Sequence, residues 1–166
     1  KNIDQNKLPG NRAYGVKNDG TLWSWGYNGV GGLGLNNKTQ YSSPVQIGTD
    51  TNWRKSFAWN NGGFALNNDG QLWGWGQQTN GGPGILGQND AINYSSPVQI
   101  PGDWGDDNIH IGAFTAFSVK TNGSLWAWGN NQWGQLGLNA TWPSVPGYRS
   151  SPTQIGTDTN WEFILD

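Results

Sequence analysis

Apolar and polar positions alternate in one short phrase that this 166-residue chain uses three times. The phrase is Leu22-Trp23-Ser24-Trp25-Gly26, then Leu72-Trp73-Gly74-Trp75-Gly76, then Leu125-Trp126-Ala127-Trp128-Gly129. A period of two residues predicts a strand, because successive side chains point to opposite faces. The two Trp residues share one face; Leu and a small residue (Ser24, Gly74 or Ala127) share the other. The small residue predicts room for a large ring from a neighbouring sheet, since layers ~10 Å apart interdigitate large against small. In the second repeat the pattern predicts strands over Lys55–Trp59, Gly63–Asn67 and Gln71–Trp75, and a short one over Pro97–Ile100. Asn68-Asp69-Gly70 reads as a hairpin, because Gly accepts the positive φ that the turn requires. Gly76 to Ser96 reads as a long Gly-rich loop, and a Pro that opens a strand removes no needed ladder donor. No segment sustains a helical period.

G-x-L-W-x-W-G begins at Gly20, Gly70 and Gly123, 50 and 53 residues apart. A period near fifty marks a repeat architecture. Other landmarks keep the beat: Ser42–Ile47, Ser95–Ile100 and Ser150–Ile155 share one phrase, and so do Gly31–Asn36, Gly84–Asn89 and Gly134–Asn139. Four antiparallel strands per repeat is a propeller blade. The reading is all-β: three four-stranded repeats forming a partial propeller or a sector of a larger ring. Blade 1 spans about 1–50, blade 2 about 51–101, blade 3 about 104–156, and a further blade starts at 157–166. Thr159-Asn160-Trp161 repeats Thr51-Asn52-Trp53, so Asn160–Leu165 is expected to be a first strand, whereas Lys1–Gly10 matches such a strand loosely.

Composition sharpens this picture. Charged residues are only 12% of the chain, yet it holds 12 Trp and 27 Gly. Disordered chains lack aromatics, so this is a turn-rich fold with an aromatic core. There is no Cys, which excludes disulfides and thiolate metal sites. The net charge of -2 with no basic run gives no nucleic-acid footprint. No apolar stretch has membrane-spanning length. The sequence contains no Met, which suggests a processed product or a piece of something longer.

The third repeat shows a recognisable combination: Ala116-Phe117-Ser118-Val119, Asn122-Gly123, Leu125–Gly129, then Asn131-Gln132-Trp133-Gly134-Gln135-Leu136-Gly137. It resembles the Regulator of Chromosome Condensation repeat family, a β-propeller family. The resemblance covers nearly the whole chain, and the Ser-Ser-Pro-Val-Gln-Ile phrasing is similar to the bacterial and phage repeats of that family. The resemblance implies a ring of about seven blades, within the usual ~4–8. Three blades then imply association with other copies or with the rest of a longer chain, because an open stack exposes aromatic faces. By this reading the segment is not a self-sufficient closed monomer.

Candidate chemistry is sparse. His110 is the sole His and has no second ligand or nucleophile to work with, so a structural or solvated role is the better reading. Gly29, Gly31 and Gly34 match a dinucleotide-binding pattern, but no helix follows them. Asp103, Asp106 and Asp107 form an acidic cluster that reads as a solvated corner rather than a calcium loop. The sequons at Asn37, Asn93, Asn122 and Asn139 are expected by chance in so Asn-rich a chain. No catalytic residue, cofactor or metal site is assigned. Tyr27, Tyr41, Tyr94, Tyr148, Trp133 and Trp142 lie in or beside the long loops, where most are expected to pack over blade ends. Trp133, Trp142, Tyr148 and Trp161 are the candidate interaction residues.

The leading expectation is a non-enzymatic structural and protein-interaction module of a virion, fibre or extracellular surface. The alternative is a carbohydrate-binding propeller, which calls for equivalent loop aromatics in every repeat; the sequence supplies them irregularly. A lower alternative, guanine-nucleotide exchange, rests on fold analogy alone. The expected partner is protein, with glycan as the alternative; nucleic acid and membrane insertion are not expected.

Overall fold

The computed structural model of this protein describes residues 11–78, 84–105, 108–139 and 147–162. Eleven strands and no helix lie among the described residues. The first antiparallel sheet holds β1 (Arg12–Val16), β2 (Leu22–Gly26) and β3 (Tyr41–Gln46) in that order. The second holds β4 (Trp53–Trp59), β5 (Gly62–Asn67), β6 (Leu72–Gly76) and β7 (Tyr94–Gln99). The third holds β8 (Ile109–Ile111), β9 (Thr115–Val119), β10 (Leu125–Asn130) and β11 (Tyr148–Gln154). These are antiparallel blades of the propeller type, one per sequence repeat. Lys1–Gly10 lies outside the described residues.

The aromatic strand sits one place from the edge in each sheet, and its partners explain its alternation. Trp25 faces Ala13 across the ladder, Trp75 faces Gly63 and Trp128 faces Ala116. On the other face Ser24 lies opposite Tyr14, Gly74 opposite Phe64 and Ala127 opposite Phe117. Each sheet is therefore a checkerboard of large against small on both faces. The sequence suggested that the small residue receives a ring from the next sheet. The residue directly opposite it within its own sheet is a ring, and in the first repeat that ring, Tyr14, meets Trp75 of the next sheet edge-on, with centroids 5.5 Å apart.

The fourth strand differs from expectation. It starts at Tyr94 rather than Pro97, because the ladder shifts register between Gly74 and Gly76 and resumes with Gly76 opposite Tyr94. The same shift occurs at Ser24/Gly26 and Ala127/Gly129. Pro44, Pro97 and Pro152 lie in the irregular stretch that absorbs it, where a missing N–H costs nothing. Ser-Ser-Pro is thus a mid-strand signal in this fold.

The described residues divide into two compact units. One contains the residues through Gln77 together with Asn93–Gln99; the other contains Gln78–Ile92 and the residues from Ile100 on. In the first, Tyr14, Leu22, Ile47, Trp53, Ala65 and Trp75 form a buried cluster. The Trp75 indole donates to the Gly32 carbonyl at 3.0 Å, and the Tyr14 hydroxyl, its pKa raised by burial, donates to the same oxygen. In the second, the Trp128 indole donates to the Ile85 carbonyl at 2.7 Å. Trp104 is fully buried between Trp126 and Trp128, at 6.4 and 5.0 Å between centroids. Each ring buries roughly 150–250 Å², worth about 4–6 kcal/mol before conformational entropy is subtracted.

The backbone comes close enough at Gly63 that a Cβ would stand 2.6 Å from the Trp75 ring and 2.8 Å from Tyr14. Gly63→Ala is expected to destabilise the fold by about 1–3 kcal/mol through overpacking. Denaturant unfolding checks this; an unchanged midpoint would contradict the packing described.

Candidate functional site

The sheets have two chemically different ends. One carries the tight hairpins that join β1 to β2, β5 to β6 and β9 to β10. The other carries the long connections that leave β2, β6 and β10.

At the hairpin end each turn is closed by one side-chain oxygen. Asp19 Oδ1 accepts the Thr21 N–H at 3.0 Å and the Thr21 hydroxyl at 2.6 Å. Asn122 does the same for Ser124 at 3.1 and 2.6 Å. In repeat 2 the role passes to Asn67, which accepts the N–H groups of Asp69 and Gln71. The hydroxyls then accept from half-buried indoles: Trp23 donates to Thr21 at 2.7 Å, and Trp126 to Ser124 at 2.9 Å. Gln71 has no hydroxyl, and the buried Trp73 indole nitrogen finds no partner among the described residues. Lys17 caps Trp23 with its ammonium 3.5 Å from the ring centroid, and Lys120 caps Trp126 at 4.0 Å and Trp104 at 4.7 Å. These are cation–π pairs. Burial pushes the Lys120 pKa down, and Asp103 pulls it partly back. The hairpin glycines are forced: a Cβ on Gly20 would lie 1.9 Å from the Thr51 carbonyl oxygen, and one on Gly123 would lie 2.0 Å from that of Thr159.

At the loop end one fully buried amide organises each long connection. Asn28 Oδ1 accepts the Leu33 N–H at 2.9 Å, while its Nδ2 donates to the carbonyls of Asn37 and Thr39, both at 3.0 Å. Asn131 Oδ1 accepts the Leu136 N–H at 3.1 Å. Gln78 takes this place in repeat 2, accepting Leu86 N–H at 3.3 Å and donating to Asp90 Oδ1 at 3.1 Å and to the Ile92 carbonyl at 2.6 Å. The spacing is five residues in repeats 1 and 3 and eight in repeat 2. Gln, one methylene longer, spans the wider turn. Sequence reading missed these amides; the shared interval from Asn28 to Leu33 and from Asn131 to Leu136 is the signal for them.

The third loop carries a further clamp. Asn130 Oδ1 accepts the Gln132 N–H at 2.9 Å and the Gln135 amide at 2.7 Å, and Gln135 Oε1 accepts the Trp133 N–H at 2.9 Å. Tyr27 and Gly32 hold the corresponding places in repeat 1, Gln77 and Ile85 in repeat 2. The clamp fixes the backbone on both sides of Trp133, whose side chain is 82% exposed.

The sequence-nominated residues separate. Trp133 and Tyr148 share the loop end of the third sheet, where Tyr148 pairs with Asn130 and is 38% exposed. Trp161 sits at the hairpin end, its N–H donating to the Gly123 carbonyl at 3.2 Å as Trp53 does to Gly20 at 3.0 Å. Asn160–Glu162 are not in a strand, and the remainder of the expected strand lies outside the described residues. Trp142, Asp106 and Asp107 also lie outside them. Tyr41 and Tyr94 are half-buried, and Tyr27 is 38% exposed beside Arg12. His110 is half-buried in β8. Among the described residues no three His, Asp or Glu side chains gather as a metal site would require.

Residues 19–58 and 122–164 match the Regulator of chromosome condensation (RCC1) repeat. Human WBSCR16 superposes over 90% of this chain and 36% of its own, with a TM-score of 0.70 and 19% identity. Prp20p of Saccharomyces cerevisiae, described with its binding properties to Gsp1p and histones, gives 90%, 37%, 0.69 and 20% for the same measures. Yeast RCC1 (Prp20) with Kap60 bound gives 90%, 36%, 0.72 and 19%. The chain therefore spans a little over a third of the length of these proteins. At such identity the likeness shows the fold.

Asn131→Ala is expected to cost about 1–3 kcal/mol, because it leaves the Leu136 amide buried without its acceptor. Hydrogen exchange checks it: Leu136 should lose protection while the β9–β10 ladder keeps its own. At the hairpin end, hydrogen bonds from Thr21 hold the Asp19 pKa below the ordinary carboxylate range. A depressed folded pKa means stabilisation that is present above the unfolded value, near 4, and is lost as pH falls through the folded one. Asp19→Asn should therefore flatten the acid limb of the melting-temperature profile while keeping the turn, since Asn122 closes the same turn in repeat 3. An unchanged acid limb would contradict this role for Asp19.

Proposed function

Because this chain belongs to the Regulator of chromosome condensation repeat family, we propose that it is a non-enzymatic protein-interaction module that binds its partner at the loop end of the third sheet. The observation that carries the reading is Trp133: a large ring, 82% exposed, held out by a hydrogen-bonded clamp rather than folded back over the sheet. Exposed aromatics on fixed backbone are the anchors of protein interfaces, because little side-chain freedom is lost on binding. Tyr148 lies at the same end and extends the contact. Relatives of this fold support a protein partner, since Prp20p is described as binding Gsp1p and histones and yeast RCC1 is seen with Kap60. The scarcity of charge suits an interface of aromatic and amide groups. A virion, fibre or extracellular surface is the setting we assign to it.

Trp133→Ala and Tyr148→Ala are expected to keep the melting temperature within a degree or so, as surface changes do, and to weaken partner binding, Trp133 by about 2 kcal/mol or more. Crosslinking with mass spectrometry in the source extract, comparing the native chain with each variant, identifies the partner. Capture that is indifferent to both substitutions would overturn this surface, and saturable binding to a glycan array with loss in Trp133→Ala would replace the protein reading with a carbohydrate one.

A further inference from the structure

The hairpins of repeats 1 and 3 lay a lysine on the first Trp of the aromatic strand; the hairpin of repeat 2 has the Trp without the lysine. In repeat 1 the Lys17 ammonium stands 3.5 Å from the Trp23 ring centroid. In repeat 3 Lys120 stands 4.0 Å from Trp126 and 4.7 Å from Trp104, which meets Trp126 edge-on at 6.4 Å and 89°. Repeat 2 rebuilds that aromatic pair, with Trp53 meeting Trp73 at 6.2 Å and 81°. Trp53 is buried, as Trp104 is, and Trp73 is half-buried, as Trp23 and Trp126 are. Asn67 stands where Lys17 and Lys120 stand in the other repeats. Its short side chain turns into the hairpin, where its amide donates to Gln71 Oε1 at 2.9 Å and its oxygen accepts the N–H groups of Asp69 and Gln71. Among the described residues no cation lies on Trp73; Lys55 of the same sheet lies on Phe57, 5.3 Å from its centroid.

A carboxylate is in place beside the pair. In repeat 3 burial lowers the Lys120 pKa, and Asp103, next to Trp104, pulls it partly back. Asn52 takes that place next to Trp53, and its amide donates to Asp69 Oδ2 at 2.9 Å. Asp69 is released for this contact because Asn67 performs the hairpin closure that occupies Asp19 in repeat 1. We propose that the hairpin end of the second sheet receives a lysine side chain of a partner protein, its ammonium resting on the Trp73 ring and donating to the Asp69 carboxylate. Ring face and nearby carboxylate are the surroundings that this chain gives its own Lys120. The site favours a primary ammonium, since a quaternary one has no N–H to give the carboxylate. It shares no residue with the Trp133 surface and goes beyond the reading built on it.

Proton–nitrogen NMR of the whole chain tests this, with Nα-acetyl-lysine methylamide as the probe and its norleucine analogue as the uncharged control. The lysine compound should shift the Trp73 indole resonance and the Asp69 and Gly70 amides saturably, and the norleucine compound should not. Asp69→Asn, at an exposed position, should weaken the response several-fold. A double variant, Asn67→Lys with Gln71→Thr, gives the second hairpin the Lys-Asn-Asp-Gly-Thr sequence of Lys17–Thr21. It supplies the ammonium from within the chain and a hydroxyl for the Trp73 N–H, so it should fold as the first hairpin does and lose the response. No response in the native chain, an equal response to norleucine, tighter binding of tetramethylammonium than of the lysine compound, or a response undiminished in Asp69→Asn or in the folded double variant would overturn the site.

Discussion

A buried indole N–H is stabilised by an acceptor, and in the second and third repeats the acceptor for the second Trp of the aromatic strand comes from the preceding repeat. Trp75 reaches the Gly32 carbonyl and Trp128 reaches the Ile85 carbonyl, each 43 residues earlier. Much else follows from that bond. The loop must come close, so Gly31 and Gly84 take positive φ where a side chain would strike the next strand. The loop must hold its shape, so an amide is buried under it in every repeat. The strand that receives it must bend, and all three ladders shift register beside the second Trp.

The local parts of this scheme were legible in the chain. Asp69-Gly70 and the Leu-Trp-x-Trp alternation depend on turn chemistry and side-chain period, which neighbouring residues settle by themselves. The parts that depend on partners distant in sequence were not. Pro97 read as a strand start because a Pro normally marks one; only the ladder shift shows it inside β7. Ser24, Gly74 and Ala127 read as room for a large ring, but that Tyr14, Phe64 and Phe117 stand opposite them follows only from the pairing register. The buried amides at Asn28, Gln78 and Asn131 looked like ordinary loop residues, since a side chain that bonds across its own loop leaves no periodic trace. Of the nominated surface residues, Trp133 was legible as an aromatic of a long loop, whereas its Asn130–Gln135 clamp required the backbone path.

Sparse charge throws weight onto the few cations that remain. Lys17 and Lys120 lie on tryptophan faces at the hairpin end, where each ammonium meets a ring quadrupole. Repeat 2 has Asn67 at that position and Gln71 in place of the hydroxyl, and it shelters Trp73 against Trp53 edge-on at 6.2 Å instead. One aromatic position is therefore stabilised in different ways, while the loop-to-indole bond does not vary in kind between Trp75 and Trp128.

The loop of one repeat and the indole it meets in the next are encoded about a repeat apart, so the unit that is copied in a gene is not the unit that packs. Duplication or loss of a whole repeat by unequal crossing-over leaves every loop facing an indole of the same chemistry. An array built this way can lengthen or shorten in single steps without inventing an interface, and selection on such a step acts on the reach of the assembly rather than on its ability to fold.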